Sequence, residues 1–271
     1  MRDLARGWRA DGDTIGLVPT MGALHAGHMS LVAQACDENA RVVVSIFINP
    51  LQFGPNEDLA RYPRTPEQDV HMLRQAGVDA IYMPSVETMY PPGATTRVVV
   101  SGVAEPLEGA ARPSHFEGVT TAVAKLFAAT EPDRAYFGQK DAQQVAVVRR
   151  MTKDLDLGVE IRVGATVRER DGLALSSRNA NLDPAQRQAA TSLSRALRSA
   201  ADAYRSGERD PARLRAVLHE VLAAEPMAQV DYAEVVDPET FRAPGMLAVI
   251  AARIGQTRLI DNHDLREPYP G

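Results

Sequence analysis

The sequence has little of several features that mark whole classes of proteins. It contains a single cysteine, Cys36, among 271 residues, which excludes an internal disulfide framework and is typical of a reducing compartment. No basic run is longer than a pair such as Arg149-Arg150, and the formal net charge is −5, so the basic stripe of a nucleic-acid-binding surface is missing. The N-terminal stretch has no apolar segment of the signal-peptide kind, and the longest apolar runs, such as 247–252, are too short to span a bilayer. We therefore expect a cytoplasmic protein with no membrane or nucleic-acid partner.

The composition that remains is that of a globular protein. Hydrophobic residues make up 45% and charged residues 24% of the chain, which is enough apolar material for a full core. A length of 271 residues favours one large domain with a smaller one. Because the net charge is negative, an anionic ligand must be held by a few local groups and not by the field of the whole protein.

The first 165 residues alternate short apolar runs with helical stretches. The pattern predicts strands at 14–19, 41–48, 79–83, 134–137 and 159–163, and helices at 27–38, 65–76, 119–129 and 142–154. Thr65, Pro66 and Gln68 together predict a capping box at the start of the second helix. Nearly continuous apolar strands separated by helices indicate a parallel sheet covered on both faces. We expect a doubly wound, Rossmann-like α/β domain over 1–165, with its ligand beyond the C-terminal ends of the strands.

The remaining residues, 166–271, show a different pattern. An Asp171-Gly172 turn between short strands predicts a hairpin. Asp183-Pro184 and Asp210-Pro211 each predict the start of a helix, the first reaching about Gly207. Strands follow at 230–236, 247–254 and 257–260. We expect a smaller C-terminal α+β domain, with the boundary near residue 165.

The most informative segment is PTMGALHAGHMSL (19–31), where the first strand gives way to the first helix. A helix N-terminus presents unpaired N–H groups and a positive dipole end, so it binds anions readily. Gly22 and Gly27 allow close backbone approach, while His25 and His28 supply imidazole donors for a phosphate. The alternative is a turn with two surface histidines. Neither GxGxxG nor GxxxxGK[ST] occurs, which argues against a dinucleotide fold and a P-loop.

Three further segments allow two interpretations each from their residues alone. In GQKDAQQ (138–144), Asp141 and Gln144 form a possible helix cap, but Lys140 has no part in a cap and suits a phosphate. The segment ALSSRN (174–179) is typical of a solvated turn after a hairpin, although two hydroxyls and a guanidinium also suit a polyphosphate. The loop around Gln52 is an ordinary polar loop, yet an amide can bind a carboxylate or a hydroxyl without adding charge.

These segments carry a resemblance to a known family. HAGH is similar to the HxGH signature of the nucleotidyltransferase superfamily shared with class I aminoacyl-tRNA synthetases. The longer string PTMGALHAGH resembles the pantothenate synthetase (pantoate–β-alanine ligase) family, and four more strings agree in the family's order. They are FINPLQFGPNEDLARYPRT (47–65), RPSHFEGVTTAV (112–123), YFGQKDAQQ (136–144) and DGLALSSRN (171–179). Together the strings cover most of residues 15 to 182, whereas the C-terminal third agrees only in general character.

The resemblance implies an activity and its site residues. It implies ATP-dependent condensation of pantoate with β-alanine through a pantoyl-adenylate, with ATP and Mg²⁺ as cofactors, a homodimer, and the C-terminal domain as a lid. The implied catalytic residues are His25, His28 and Lys140, and the implied substrate residues for pantoate and β-alanine are Gln52 and Gln144. The implied ATP-binding residues are Met21, Gly22, Ala23, Leu24, His25, Ala26, Gly27, His28, Gly138, Gln139, Lys140, Asp141, Val167, Leu175, Ser176, Ser177 and Arg178.

Other positions keep alternatives open or depart from the family. Asp69 resembles an acidic position linked to magnesium, but a solvated helical face explains it as well, so it is not taken as a metal ligand. Arg112 and His115 are expected to order the loop beside the pocket. Ser114 stands where glycine is common and Ala165 where proline is common, and a leading helix is expected to be short or missing.

Two rival functions remain for comparison. Another superfamily member, such as an adenylyltransferase acting on a phosphate or a different acid, shares HAGH but not Gln52 and Gln144. A non-catalytic nucleotide sensor keeps the fold but loses Lys140 or one of the histidines, and this chain has all three.

Overall fold

The computed structural model describes residues 1–55 and 57–270. Asn56, within the 47–65 string, and Gly271, the last residue of the predicted second domain, lie outside the described residues. The chain divides into two compact units. Unit 1 comprises Met1–Gly138 and Gln144–Ala165, and unit 2 comprises Gln139–Gln143 and the residues from Thr166 onward. Within the described ranges, no helix has the length and apolar character to cross a membrane.

Unit 1 is built on a five-stranded parallel sheet. Its strands are β1 (Ile15–Thr20), β2 (Arg41–Ile46), β3 (Ala80–Tyr82), β4 (Arg134–Gly138) and β5 (Glu160–Gly164). They lie in the spatial order β3-β2-β1-β4-β5, with every neighbouring pair parallel. The helices are α1 (Arg2–Ala10), α2 (Ala26–Glu38), α3 (Pro66–Gln75), α4 (Val86–Met89), α5 (Glu108–Ala111), α6 (His115–Thr130) and α7 (Ala142–Asp154). A sheet that is parallel throughout, with helical crossovers, confirms the predicted α/β class.

Alternate residues of β2 belong to two different cores, which shows that both faces of the sheet are covered. Val43 packs in one cluster with Leu126 of α6. Val42 and Val44 belong to a second cluster with Leu31 of α2. Successive side chains of a strand point to opposite faces, so the helices are distributed over both sides of the sheet, as in a doubly wound fold.

Several element boundaries differ from those predicted. Helix α6 begins at His115, four residues before the predicted start, and a nine-residue leading helix, α1, is present. The capping box predicted at Thr65 is wrong. The Thr65 side chain makes no cap hydrogen bond; its hydroxyl instead donates to Oδ1 of Asp69 at 3.0 Å.

Unit 2 contains a three-stranded antiparallel sheet with two helices. Its elements are α8 (Pro184–Arg205), α9 (Pro211–Ala223), β6 (Ala228–Val236), β7 (Leu247–Ile254) and β8 (Thr257–Asp264), and the sheet order is β6-β7-β8. The buried face of the alanine-rich α8 shares one apolar cluster with α9 and with the sheet. Asp183 and Gln186 form a capping box at the start of α8. This arrangement confirms the predicted smaller α+β region, although β8 is longer than the predicted 257–260.

The predicted hairpin at 166–175 is present in reduced form. A single antiparallel bridge joins Arg168 to Ala174, and Gly172 in the turn has a φ of +91°, which favours glycine. The flanking segments are therefore too weakly paired to form the two short strands that the sequence predicts.

Helix α6 packs closely against the 3-10 helix Pro50–Gln52, and a glycine makes the approach possible. A Cβ on Gly118 would lie 2.4 Å from the carbonyl carbon and oxygen of Leu51 and 2.6 Å from the backbone nitrogen of Gln52. At the start of α6, Ser114 has a φ of +66°. This is a left-handed conformation that glycine adopts more readily than serine. The position where this chain has serine and the family commonly has glycine is therefore one of backbone strain.

We expect Gly118→Ala to lower the free energy of unfolding by about 1–3 kcal/mol, because the added methyl group overpacks the contact between α6 and the 3-10 helix. Urea denaturation measures this change. The control is Gly7→Ala in α1, where a Cβ meets no atom within 4 Å, and where alanine should stabilise the helix by about 1 kcal/mol. Equal stability of the two variants would contradict the packing argument.

Candidate functional site

The turn between β1 and α2 is held by its own backbone conformation. Gly22 has a φ of +81° and Ala23 a φ of +50°, so two successive residues are left-handed. A Cβ on Gly22 would lie 3.0 Å from Oδ2 of Asp69 and 3.1 Å from Cγ2 of Ile46. Glycine at this position is therefore required both by the backbone angle and by the space around it.

A buried carboxylate binds the same turn. Asp69, on α3, has a relative exposure of 1%. Its Oδ2 accepts from the backbone N–H of Ala23 and its Oδ1 from that of Leu24, each at 2.9 Å, and Oδ1 also accepts from the Thr65 hydroxyl. The solvated helical face considered for Asp69 is wrong. Hydrogen-bond donors surround the Asp69 carboxylate and are directed at its oxygens. This arrangement disfavours the binding of a metal cation by Asp69.

His25 and His28 form a capping box at the N-terminus of α2. Nδ1 of His25 accepts from the backbone N–H of Gly27 at 3.2 Å, and Nδ1 of His28 accepts from that of His25 at 3.4 Å. The ring centroids are 4.1 Å apart. An Nδ1 that accepts carries no proton, so the neutral tautomer of each ring has its proton on Nε2. Both half-buried rings are therefore part of the helix start.

The amide of Gln52 is oriented by its neighbours. Asn49 has a relative exposure of 1%, and its Nδ2 donates to Oε1 of Gln52 at 3.1 Å and to the carbonyl of Gly118 at 2.9 Å. The Tyr90 hydroxyl donates to Oδ1 of Asn49 at 2.8 Å. Because Oε1 of Gln52 accepts from Asn49, its Nε2 faces the other way and lies 3.1 Å from Sδ of Met21. The predicted ATP-binding turn and the predicted substrate amide are thus in contact.

A second network holds the backbone of Gln52. Arg112 makes a bidentate ion pair with Glu57, at 2.9 and 2.6 Å, and its Nη2 donates to the carbonyl of Gln52 at 3.2 Å. Nδ1 of His115 lies 2.9 Å from the same carbonyl. Burial and the charge of Arg112 lower the pKa of His115 to about 4. The expected ordering role of Arg112 and His115 thus has a physical basis in these contacts.

The tautomer of His115 follows from its partners. A carbonyl oxygen can only accept, so Nδ1 must carry the proton. Nε2 then accepts from Nη1 of Arg112, 3.1 Å away. The ring is neutral and uses both nitrogens, which is the form that burial favours.

The remaining predicted residues of unit 1 are Gly138 and Gln144. Gly138 ends β4, and Gln144 lies half-buried in the first turn of α7. The C-terminal ends of β1 and β4 are neighbours in the sheet, so Gly138 and the β1–α2 turn follow adjacent strands, where a doubly wound sheet binds ligands.

In unit 2 the residues Gln139, Lys140 and Asp141 form a short 3-10 helix. The ammonium group of Lys140 lies 3.9 Å from the carboxylate of Asp141. The backbone carbonyls of Gln139 and Lys140 accept from the Asn262 amide at 3.0 and 2.8 Å. The loop is therefore fixed through its main chain, which leaves the Lys140 side chain outside that network.

The other predicted nucleotide residues of unit 2 lie in the reduced hairpin or directly after it. The backbone N–H of Leu175 donates to the carbonyl of Val167 at 2.9 Å, so these two residues face each other across it. Ser176 caps the 3-10 helix Ser177–Asn181, its Oγ accepting from the N–H of Arg178 at 3.2 Å. The cap uses an acceptor lone pair of the hydroxyl and not its proton. The solvated-turn interpretation is replaced by an ordered, half-buried 3-10 helix start.

Asp69 and Asn49 are site residues of unit 1 whose roles the sequence does not reveal. Asp69 lies at the position of an N-terminal helix residue that would ordinarily be solvated. Asn49 lies in a loop rich in polar residues. The detectable signal for Asp69 is the order Thr65, Asp69 and Leu73 along one face of α3, because Leu73 is fully buried and residues four apart share a helix face.

Comparison with known proteins gives a consistent result. A family model described as pantoate-beta-alanine ligase matches residues 1–264. A curated pantothenate synthetase from Chloroflexus aurantiacus is 57% identical over 260 residues, covering 94% of this chain and 92% of the relative. One from Koribacter versatilis is 54% identical over 267 residues, with coverages of 97% and 92%.

Solved structures agree with these relatives. The crystal structure of pantothenate synthetase from Thermus thermophilus has a TM-score of 0.91 at 46% identity and covers 98% of both chains. A pantoate-beta-alanine ligase from Francisella tularensis, solved with beta-gamma ATP and beta-alanine, has a TM-score of 0.80 at 35% identity. It covers 98% of this chain and 96% of its own.

We expect the neutral His115 to make stability fall in acid. Its ordinary pKa of 6.5 is lowered to about 4 in the folded protein, so the unfolded chain binds a proton first as the pH falls. This contribution is present above pH 6.5 and is lost progressively between 6.5 and 4. His115→Gln keeps one donor and one acceptor but cannot titrate. Between pH 7 and pH 5 the original protein should lose about 2 kcal/mol more stability than the variant. Urea denaturation at a series of pH values measures the free energy of unfolding of both proteins. If that free energy fell equally with pH in both, the assignment of a neutral His115 ring would be contradicted.

Proposed function

The chain belongs to the pantoate-beta-alanine ligase family, and on that premise we propose that it condenses pantoate with β-alanine in an ATP-dependent reaction. The observation that carries the proposal is the contact between Gln52 and Met21, with Nε2 of the amide 3.1 Å from the thioether sulfur. Activation of a carboxylate requires the acid beside the α-phosphate. A neutral amide suited to a hydroxy acid and a turn suited to phosphate are adjacent here within unit 1.

The first half-reaction is attack of the pantoate carboxylate on the α-phosphate of ATP. A carboxylate is ionised at pH 7, with a pKa of about 4, so it needs no general base. A new acyl–phosphate bond forms, the bond between the α-phosphate and pyrophosphate breaks, and pyrophosphate leaves with the electron pair. The product is pantoyl-adenylate, a mixed anhydride with a reactive carbonyl.

Donors and positive charge stabilise the phosphates during this step. The Nε2–H groups of His25 and His28 suit phosphate oxygens, because both Nδ1 atoms already accept backbone N–H groups. Lys140 supplies a point charge. Ser176, Ser177 and Arg178 supply hydroxyl and guanidinium donors. These roles, and the assignment of unit 2 residues to the nucleotide, rest on the family pattern.

The second half-reaction is attack of the β-alanine amine on the acyl carbonyl. The neutral amine forms the amide bond, the bond from the acyl carbon to the phosphate oxygen breaks, AMP leaves with the electron pair, and the nitrogen releases one proton to solvent. An ammonium group of this kind has a pKa of about 10 and must lose a proton first. We assign Gln52 and Gln144 to the two small substrates, because an amide can both donate to a carboxylate and accept from a hydroxyl or an ammonium group.

We assign magnesium to the MgATP substrate. Across residues 1–55 and 57–270, no three His, Cys, Asp or Glu side chains group into a metal site. Asp69 is a poor candidate ligand, because the N–H groups of Ala23 and Leu24 and the hydroxyl of Thr65 point at its oxygens. A homodimer and a lid role for residues 166–271 remain predictions from the resemblance, and a cytoplasmic location remains a prediction from the composition.

We expect His28→Ala and Lys140→Met each to slow adenylate formation by roughly 10²–10³-fold, the usual loss for one preorganised electrostatic donor. Pantoate-dependent exchange of pyrophosphate into ATP measures this step. Lys153→Met, at an exposed position of α7, is the matched control for Lys140 and should leave the rate unchanged. Equal rates for Lys140→Met and Lys153→Met would remove Lys140 from the catalytic set.

His28 needs its own control because it also caps α2. His28→Glu retains an N3 acceptor for the capping box but replaces the imidazole donor with an anion. We expect it to restore the melting temperature lost in His28→Ala and to leave exchange slow. Recovery of both stability and exchange in His28→Glu would show that His28 acts only as a cap.

The order of the two half-reactions gives a further prediction. Pantoate and MgATP alone should support exchange of labelled pyrophosphate into ATP, because the carboxylate attacks without help from the amine. β-Alanine should be required only for AMP production beyond one turnover. Assays with and without β-alanine, and with a panel of other acids, measure this. Absence of exchange without β-alanine, alongside full turnover with it, would rule out a separate adenylation step.

A further inference from the structure

Three consecutive polar residues, Asp261, Asn262 and His263, are buried in the last strand of unit 2. Asp261 and Asn262 on β8 have relative exposures of 3% and 5%. The adjacent strand β7 is apolar over LAVIAA (247–252), and all six of those residues are buried. A buried carboxylate and a buried amide are unfavourable unless their hydrogen bonds are satisfied. The hydrogen-bond partners of Asp261 and Asn262 therefore indicate the role of these two residues.

Asn262 binds the loop that contains Lys140. Its Nδ2 donates to the carbonyls of Gln139 and Lys140 at 3.0 and 2.8 Å, and its Oδ1 accepts from Nε2 of Gln139 at 3.1 Å. The opposite amide orientation would bring Oδ1 against two carbonyl oxygens, so the donor pattern is unambiguous. One side chain thus fixes the main chain of two successive residues in the predicted phosphate-binding segment.

Asp261 binds the hairpin that contains Val167. Its two oxygens pair with Nη2 and Nη1 of Arg168 at 3.0 and 2.6 Å, and the side chains of Arg168 and Asp261 are 9% and 1% exposed. Nη1 of Arg168 also donates to the carbonyl of Gly172 at 3.1 Å. The hairpin has a single bridge of its own, at Arg168 and Ala174, and this ion pair joins it to strand β8.

We propose that Asp261 and Asn262 are positioning residues for the nucleotide, each fixing one ATP-binding segment of unit 2 to strand β8. The inference rests on the proposed function, since it takes residues 139–141 and 167–175 as the segments that bind ATP. Successive side chains of a strand point to opposite faces. The pair therefore reaches two segments that lie more than 20 residues apart in the chain, and each residue acts through the segment that it holds.

The main test compares Asn262→Ala and Asn262→Asp with the original protein. Asn262→Asp is isosteric but turns a carboxylate oxygen toward the two carbonyls. We expect the KM for ATP to rise about tenfold in the alanine variant, from the loss of the three hydrogen bonds that hold the loop, and further in the aspartate variant. The KM for pantoate should stay within about twofold, because its amides lie in unit 1.

Asp261→Asn provides a milder second variant, which keeps the shape of the side chain but weakens the pair with Arg168. We expect a rise of several-fold in the KM for ATP. The matched control is Asp231→Asn, which weakens another Arg–Asp pair of the same sheet, Asp231 with Arg258 at 2.6 Å. The control should leave the KM for ATP unchanged.

The outcomes separate this inference from the proposed function. Folded Asn262 variants with an unchanged KM for ATP would overturn the inference while leaving the ligase assignment intact. An equal rise in KM for ATP and pantoate would overturn it too, because it would show general loosening. Failure of the original protein to make pantothenate would instead overturn the proposed function. If Asn262→Ala does not fold, Asp261→Asn against Asp231→Asn decides the question by the same measurements.

Discussion

Between β1 and α2 the chain leaves a parallel strand, passes through two residues of positive φ and starts a helix. Several backbone N–H groups of this turn therefore have no partner in a strand or a helix. The carboxylate of Asp69 accepts two of them, from Ala23 and Leu24. Each would cost about 1–3 kcal/mol if left buried without an acceptor. The path of the backbone from β1 to α2, and with it the placement of His25 and His28, depends on this side chain together with the Thr20 hydroxyl, which accepts from the N–H of Gly22.

The turn then determines what can be built beside it. Its first residue, Met21, contacts the amide of Gln52, and the backbone of Gln52 is held by Arg112 and His115. Charge in this network is carried by Arg112 and by the two carboxylates that pair with it, Glu57 at 2.6 Å and Glu108 at 3.7 Å. His115 is neutral. Gln52 therefore presents an amide dipole and not a net charge, which matches a substrate recognised by its hydroxyl and carboxylate groups.

Much of the fold follows from the sequence, and the reasons are local. Helix α7 and strand β7 have the predicted bounds, because an apolar period of 3.6 or an unbroken apolar run is visible without tertiary information. The capping box at Thr65 fails for a tertiary reason. Its hydroxyl is taken by Asp69, whose other partners lie about 45 residues earlier in the chain. The start of α6 is missed because Ser114 enters the helix from a left-handed conformation that serine rarely adopts.

The side chains of the site fall into two groups. One group is expected to bind the ligands, and the other makes hydrogen bonds to the main chain of distant segments. Ligand-binding residues can be predicted from their chemical type and their place in the sequence, such as histidines beside glycines at the end of a strand or a lysine before a helix. Asp69, Asn49 and Asn262 instead hold main-chain N–H or carbonyl groups. Every residue has a main-chain carbonyl and nearly every residue an N–H, so no motif records which ones are held. Only burial reveals such residues, as a polar side chain at an apolar position whose hydrogen bonds lead to a loop far away in the chain. Rigid placement of the ligand-binding groups depends on these anchors, because a side chain is no better fixed than the backbone that carries it.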